Sequence, residues 1–125
     1  MTKKISWRGM VLTAGMMLAL AGGTARAAEV PIVTGEHWTR SSEELKKVYL
    51  VGIANVIQIE TAYEGANAPS DTQSLLPRLA KGLKGQTLDN VRERLNQWYA
   101  AHPDRLQRPV LETLWFEVVV PGLGQ

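Results

Sequence analysis

The sequence predicts an all-α fold, a small four-helix bundle-like domain that follows a cleaved signal peptide. Three observations support this prediction. Apolar residues recur at intervals of three and four in four successive segments, which is the spacing of one helix face. Capping residues, glycines and prolines separate those segments. Only residues 116–120 are β-branched enough for a strand, and no second stretch is available to pair with them.

The first 27 residues have the three blocks of a secretory signal peptide. A positive front end comes first, an apolar stretch over residues 10–21 follows, and small residues form the cleavage site, namely Ala25, Ala27 and Ala28. The apolar stretch is roughly a dozen residues long, whereas a membrane-spanning helix needs about twenty, so a retained anchor is the poorer alternative. Gly23 stands where a lipoprotein would carry its acylated cysteine. We therefore expect cleavage after Ala27, no membrane anchor in the mature form, and a periplasmic or secreted protein.

Cleavage of the signal peptide reverses the sign of the net charge. The precursor has 14 basic and 12 acidic residues and a pI near 9.1. Removing residues 1–27 removes four basic residues and no acidic ones, which leaves ten against twelve and a side-chain charge of −2. Attraction to nucleic acid therefore largely disappears, and no nucleic-acid partner is expected. Residues 28–125 suffice for a single helical domain, and because a partner subunit would add to its limited core, a homodimer is one option.

The chain contains no cysteine. Small exported domains often compensate for a limited core with disulfides, so this domain must be stabilised by packing alone. The absence of thiols also excludes thiol catalysis, thiolate zinc sites and disulfide exchange. It leaves His37 and His102 as the imidazoles available for metal binding or acid–base chemistry.

The first predicted helix begins at Ser41 and runs to about Glu64, where Gly65 is a natural stop. Residues 41–44 fit a capping box, in which the first serine accepts from an incoming amide and the last glutamate reaches back. One face is apolar and consists of Leu45, Tyr49, Gly52, Val56, Ile59 and Tyr63. Further apolar residues lie off that face, so this helix is either central or a subunit interface. The preceding residues 28–39 are expected to be an extended linker, with Trp38 covering the end of the bundle.

A loop and a short helix follow. Residues 66–71 favour turns and are expected to form an exposed loop. A second helix is predicted over residues 73–83, where leucines recur at helical spacing. Pro77 is tolerable near its start, and Gly82 weakens its end.

Two more helices complete the domain. The third has Thr87 as its N-cap and ends at residues 102–103. The fourth starts near Pro103 or Pro109, since proline is acceptable at a first helical position, and it ends by Pro121. Its predicted buried face consists of Leu106, Val110, Leu111, Leu114, Trp115 and Val118.

The second half of the chain contains three short motifs before its closing apolar helix. They are Gly85-Gln86-Thr87-Leu88, Trp98-Tyr99-Ala100-Ala101-His102-Pro103-Asp104 and Arg108-Pro109. In this order they resemble the amidase-immunity family of type VI secretion, the Rap/Tai group, whose members typically end a helix with tyrosine, two residues and His-Pro. Residues 49–53 are similar to the family's opening helix. The resemblance implies a small all-helical periplasmic dimer that binds and blocks a peptidoglycan-cleaving amidase.

The chain departs from this family in one respect. Members usually carry cysteines in the opening helix and at the end of the last helix, where they form disulfides, and this chain has none. It is therefore a divergent relative or an analogue. No residue of the family's inhibitory contact can be carried over, so the partner-binding residues stay unknown at the level of sequence.

Each polar candidate for chemistry has a structural alternative. His102 can act as a general base, but beside Pro103 at a helix boundary it is expected to cap the helix. Glu60 and Glu64 can bind a cation, yet carboxylates on an exposed helix flank are usually solvated. Capping explains the serines at 41–42. We therefore expect no catalytic residue, no metal site, no cofactor and no enzymatic activity.

The aromatic pairs Trp98-Tyr99 and Trp115-Phe116 can anchor a partner, but beside leucines at helical spacing they are expected to be core. The sequence thus favours a periplasmic protein-binding module, and its sharpest form is inhibition of a cell-wall amidase. One alternative is a small helical acid-stress chaperone, which hides apolar surface at neutral pH and exposes it on protonation. Another is an exported structural protein without enzymatic activity.

Overall fold

A computed structural model describes residues 29–65 and 73–125. Over these residues the secondary structure is helical, and the only β-type contact is an isolated bridge between Thr34 and Pro109. The all-α prediction is therefore confirmed. Outside the described residues lie the predicted loop 66–71 and the predicted signal peptide with Ala25, Ala27 and Ala28.

Residues 32–125 form one compact unit, and the described residues before it, 29–31, have no regular secondary structure. Its α-helices are α1 (Gly35–Arg40), α2 (Glu43–Glu64), α3 (Leu75–Gly82), α4 (Leu88–Ala101), α5 (Val110–Leu114) and α6 (Val120–Leu123). A 3₁₀ turn (Pro103–Arg105) follows α4, and a π-helical turn (Trp115–Val119) joins α5 to α6. Helix α2 packs on α3 and α4, and α3 packs on α6 and the π-helical turn. Helices α1 and α5 pack on α4.

The segment expected to be an extended linker contains α1. The Thr34 N–H donates to Nδ1 of His37 at 3.1 Å, and the Ser41 hydroxyl donates to the His37 carbonyl at 2.7 Å. Ser41 therefore ends α1. The N-cap of α2 is Ser42, whose Oγ accepts from the Leu45 N–H at 3.2 Å. The capping box predicted at residues 41–44 is wrong by one residue, because the preceding helix uses the first serine.

The predicted end of α2, the predicted range of α3 and both predicted ends of α4 agree with the structure. Helix α2 ends at Glu64, and Gly65 follows with a positive φ of 55°. Helix α3 lies within the predicted range 73–83. Helix α4 begins after Thr87, whose Oγ1 accepts from the Asn90 N–H at 3.1 Å, and ends before His102.

The buried core draws side chains from every α-helix except α6. It consists of Trp38, Leu50, Leu79, Val91, Leu95, Tyr99, Val110, Leu114, Val118 and Val119. Trp38, predicted to cover the end of the bundle, lies inside this cluster with 2% of its surface exposed.

In the described part of the chain, no helix combines the length and the apolarity that a membrane span requires.

The last helix does not end by Pro121 as predicted, because a π-helical turn carries it through to Leu123. Proline has no N–H for the carbonyl four residues earlier, which is that of Glu117. Nη2 of Arg94 donates to that carbonyl instead, at 2.7 Å. The wider turn also changes which side chains point inward. Val118 and Val119 are both buried. Leu111, which lies in α5 before this turn and was predicted to be buried, is half exposed, because α5 packs through Val110, Thr113 and Leu114.

Helices α3 and α6 cross at backbone contact. A side chain at Gly122 would meet the backbone of Gly82, and a side chain at Gly82 would meet Val119. Gly82 is therefore buried, and the close crossing of the two helices requires a glycine there. The sequence had indicated only that this glycine weakens the end of its helix.

Candidate functional site

The most exposed apolar surface of the described residues is one face of α2. We call it the outer stripe and define it as Leu45, Val48, Gly52, Val56, Ile59 and Tyr63. The five residues of the stripe other than glycine are all at least half exposed, at 60% for Leu45, 57% for Val48, 51% for Val56, 71% for Ile59 and 86% for Tyr63. The sequence pattern identified this apolar face, with Tyr49 in place of Val48. The structure turns it to solvent, because α2 packs inward through Lys46, Leu50 and its neighbours.

Gly52 lies near the middle of the outer stripe and of the 22-residue α2. A Cβ placed on it would meet nothing within 4 Å. Glycine in a helix interior is destabilising by roughly 0.5–1 kcal/mol relative to alanine. Packing within the described chain therefore gives no reason for a glycine at this position.

A second candidate surface is a partly exposed stack of four planar groups, which we call the planar stack and define as His102, Trp98, Arg108 and Phe116. The His102 ring lies on the Trp98 ring, with centroids 4.2 Å apart and an angle of 18° between the planes. The Arg108 guanidinium lies 4.7 Å from the Trp98 ring centroid and 5.5 Å from that of Phe116. Cation–π contacts of this kind hold the rings and the guanidinium in one arrangement. Phe116 itself is half exposed.

Two carboxylates fix the arginine of the planar stack. Nε of Arg108 lies 3.2 Å from Oε1 of Glu112, and its Nη1 lies 3.0 Å from Oε1 of Glu117. Nδ1 of His102 lies 2.7 Å from the Trp98 carbonyl oxygen. Polar contacts therefore hold His102 and Arg108 in the stack, and Phe116 lies on the Arg108 side of it.

Tyr99 anchors the loop that carries this stack. Its hydroxyl donates to the Arg108 carbonyl at 2.9 Å and lies 2.9 Å from Oγ1 of Thr113. Its ring leaves no room for a side chain at Gly35. Burial raises the pKa of Tyr99 above its ordinary value of 10.0, so it keeps the proton that it donates. Tyr99 thus fastens the end of α4 to α1 and to the loop before α5, whereas the His102 side chain contacts Trp98 of the same helix.

A polar network joins α1, α2 and α4. Nε1 of Trp38 donates to Oδ1 of Asn96 at 2.8 Å, and Nδ2 of Asn96 donates to Glu43 at 3.1 Å. Glu43 also accepts from Nζ of the buried Lys46 at 2.6 Å. Nε of Arg92 lies 3.1 Å from Glu43, an ion pair without hydrogen-bond geometry. The hydrogen bonds from Lys46 and then Asn96 hold the pKa of Glu43 below its ordinary value of 4.5.

Two larger clefts differ in the character of their walls. An apolar cleft of about 360 Å³ lies between α2, α3 and α4, where Ile53, Ile57 and Leu83 contribute to its wall. A basic cleft of about 340 Å³ lies beside α6 and includes Lys81, Lys84 and the already bonded Arg94. Neither cleft contains a carboxylate side chain or a histidine.

The polar candidates from the sequence do not converge. His37 and the serines at 41–42 make capping contacts, and His102 belongs to the planar stack. Glu60 and Glu64 line a small cleft of about 180 Å³. Among residues 29–65 and 73–125, no three His, Cys, Asp or Glu side chains lie close enough together to hold a metal ion.

The aromatic pairs divide between core and surface. Tyr99 is core, Trp98 and Trp115 are half-buried, and Phe116 is exposed.

The sequence did not reveal the role of Arg108, because its ring partners are ten residues before it and eight after it. It also missed Lys46, a charged residue on the buried face of α2. A helix-centre glycine between apolar residues was a signal visible in the sequence.

No family model matches this chain, and neither a curated protein nor a solved structure matches it.

Proposed function

We propose that this protein is an exported protein-binding module that acts by occupying another polypeptide. The observation that carries the proposal is the outer stripe of α2. Monomeric proteins rarely leave a contiguous apolar patch of this kind in water, and such patches mark interaction sites. Binding is favoured over catalysis because the polar candidates are engaged in capping and stacking contacts.

The sharpest form of the proposal is inhibition of a peptidoglycan-cleaving amidase in the periplasm. The resemblance of the motifs at residues 85–88, 98–104 and 108–109 supports this form. We assign the planar stack to the amidase contact, since Trp, Tyr and Arg dominate interface energetics and a pre-organised anchor loses little entropy on binding. Phe116 is the exposed ring of that stack.

The outer stripe contains no group that titrates in the acid range, because its members are apolar except for Tyr63. An acid-stress chaperone needs protonation to uncover apolar surface. The stripe offers no trigger of its own for that response, so we propose the binding module.

The test begins with an amidase encoded by a gene next to the one for this protein. The full sequence is expressed, and the chain is purified in the form that the cell produces after any processing. Its binding to the amidase is measured by calorimetry. We expect a stoichiometric complex with a micromolar or lower Kd, and peptidoglycan hydrolysis that falls as the complex forms. No heat of binding and full hydrolysis at about 100 µM of both proteins would contradict the amidase proposal.

Two variants locate the contact. We expect Phe116→Ala to weaken amidase binding at least tenfold, as expected for an aromatic anchor. The control is Leu75→Ala, which removes another exposed apolar side chain on α3 and should change Kd less than about twofold. Equal losses in both variants would show that the planar stack is not the contact.

A further inference from the structure

Apart from Tyr63, the outer stripe is symmetric about Gly52; the position that corresponds to Tyr63 is Ser41, which precedes α2. Val48 and Val56 stand four residues on either side of the glycine, and Leu45 and Ile59 stand seven residues on either side. Because three or four residues make one helical turn, all four side chains lie on the same face as Gly52. Each is at least half exposed. Reversal of the helix direction therefore gives nearly the same apolar surface.

The glycine at the centre of this symmetry has no role within its own chain. Glycine is a poor residue for a helix interior, yet a side chain at Gly52 would enter open space. At Gly82 and Gly122 the reason for glycine is visible, since two helix backbones touch there. The same reason applies to Gly52 if a second helix crosses α2 at that point.

We propose that a second copy of this chain packs on the outer stripe, with the two α2 helices antiparallel and crossing at Gly52 about a twofold axis. Val48 of each copy then contacts Val56 of the other, and Leu45 contacts Ile59. This inference rests on the proposed function only in assigning the outer stripe to a polypeptide partner.

The symmetry favours a second copy over an unrelated partner. A twofold interface uses the same patch on both subunits, so the patch must be complementary to itself after reversal. The arrangement of the stripe about Gly52 meets this condition, which an unrelated partner does not impose. The stripe carries no charged residue, so the twofold axis brings no like charges together.

The size of the stripe indicates a dimer of moderate strength. Helix α2 is 22 residues long, which corresponds to about 33 Å. Five large side chains at roughly 100 Å² each give about 500 Å² per chain. The total of about 1,000 Å² is at the lower limit for a specific interface, in the size range of weak and transient complexes, so we expect a reversible monomer–dimer equilibrium.

Sedimentation velocity tests the dimer directly. The chain is purified in the form that the cell produces, and its sedimentation coefficient is measured at protein concentrations from about 1 to about 300 µM. We expect a monomer–dimer equilibrium that Val56→Glu weakens at least tenfold. Leu111→Glu, which adds the same charge at an exposed apolar position on α5, should leave it unchanged. A monomer throughout this range, or a dimer that tolerates Val56→Glu, overturns the proposal.

Single cysteines test the orientation in this cysteine-free chain. In the antiparallel dimer, residue 48 faces residue 56 of the partner, whereas the two copies of residue 48 are about 12 Å apart along the helix axis. A disulfide needs Cα atoms within about 7 Å. An oxidised mixture of Val48→Cys and Val56→Cys chains should therefore cross-link as heterodimers, and either variant alone should not. Cross-linking of Val48→Cys with itself overturns the antiparallel arrangement.

Substitution of Gly52 distinguishes a role in the dimer from a structural role within the monomer. Leucine is a better helix residue and meets open space at position 52. Gly52→Leu should therefore raise the Tm of the monomer at low concentration while weakening the dimer at least tenfold. A raised Tm with an unchanged dimer Kd overturns the proposal.

These tests separate the two proposals. Val56→Glu reports on self-association, and Phe116→Ala reports on amidase binding. A dimer that binds no amidase contradicts the proposed inhibition alone. A monomer that binds the amidase contradicts the α2 dimer alone.

Discussion

The Tyr99 hydroxyl links residues that are far apart in the sequence. It contacts the Arg108 carbonyl and the Thr113 hydroxyl, and the tyrosine ring covers Gly35. The contact is buried, so water does not replace it when it is lost. This hydroxyl therefore joins the loop that carries Arg108 to α5, in addition to the backbone hydrogen bonds from Gly35 and Glu36 to that loop.

We expect Tyr99→Phe to lower the free energy of unfolding by about 1 to 2 kcal/mol, because the Arg108 carbonyl and the Thr113 hydroxyl each lose one of their hydrogen bonds. Chemical denaturation monitored by circular dichroism measures this loss. The control is Tyr63→Phe, which removes a hydroxyl from a ring that is 86% exposed and should change stability by less than about 0.5 kcal/mol. Similar values for both variants would contradict the assigned role of Tyr99.

Glycines at the C-terminus differ in the space around them. Gly122 faces the backbone of Gly82, whereas a Cβ at Gly124 would meet nothing within 4 Å. We expect Gly122→Ala to destabilise the protein by about 1 to 3 kcal/mol through overpacking. Gly124→Ala should stay within about 0.5 kcal/mol of the parent. Thermal unfolding of both variants measures the difference, and a harmless Gly122→Ala would mean that α3 and α6 do not touch there.

At the scale of elements, the closing helix depends on an arginine from another helix. Pro121 cannot donate to the Glu117 carbonyl, and Arg94 of α4 does so instead. This contact fastens the π-helical turn to α4. It explains how the chain stays helical beyond a proline that would ordinarily end or kink a helix.

We expect Arg94→Ala to cost about 0.5 to 1.5 kcal/mol of stability, the usual net value of one hydrogen bond. Lys84→Ala, which removes a nearby exposed cation, should cost less than about 0.5 kcal/mol. Urea denaturation gives both values. In a Pro121→Ala background the N–H returns, so the cost of Arg94→Ala should shrink, and a cost that stays the same would contradict this role of Arg94.

At the scale of the whole molecule, Glu43 connects three helices. It accepts hydrogen bonds from Lys46 of its own helix and Asn96 of α4, and Asn96 in turn holds Trp38 of α1. The pKa of Glu43 is lowered in the folded protein by these bonds. A lowered pKa adds stability above the unfolded value of 4.5, and this stability is lost as the pH falls through the folded value.

We expect Glu43→Gln to be less stable than the parent near pH 7, where buried Lys46 loses its charged partner. Its stability should also fall less steeply below pH 4.5, because the titrating group has been removed. Unfolding curves from about pH 7 to about pH 3 measure both effects. Glu44→Gln removes one negative charge from the same turn and serves as the control. Equal acid slopes for parent and Glu43→Gln would contradict the prediction.

The helix pattern was predictable because helix formation depends on neighbours in the sequence. Thr87 as the cap of α4, Gly65 at the end of α2 and the all-α class follow from residues within a few positions. The cap of α2 was missed because Ser41 and Ser42 are chemically alike. Which serine is used depends on α1, and α1 is held by hydrogen bonds from Gly35 and Glu36 to the loop at residues 106–108.

For the candidate surfaces, the sequence by itself determined that α2 has an apolar face that includes Gly52, since periodicity requires only local spacing. Only the tertiary structure decided that this face points to solvent, because α3 and α4 pack on the opposite side of α2. The same distinction applies to the planar stack. Its motif residues are visible in sequence, but Arg108 meets Trp98 and Phe116 only after α4 and the closing helix pack together. Local spacing fixes a helix and its faces, and long-range packing fixes which face is left for a partner.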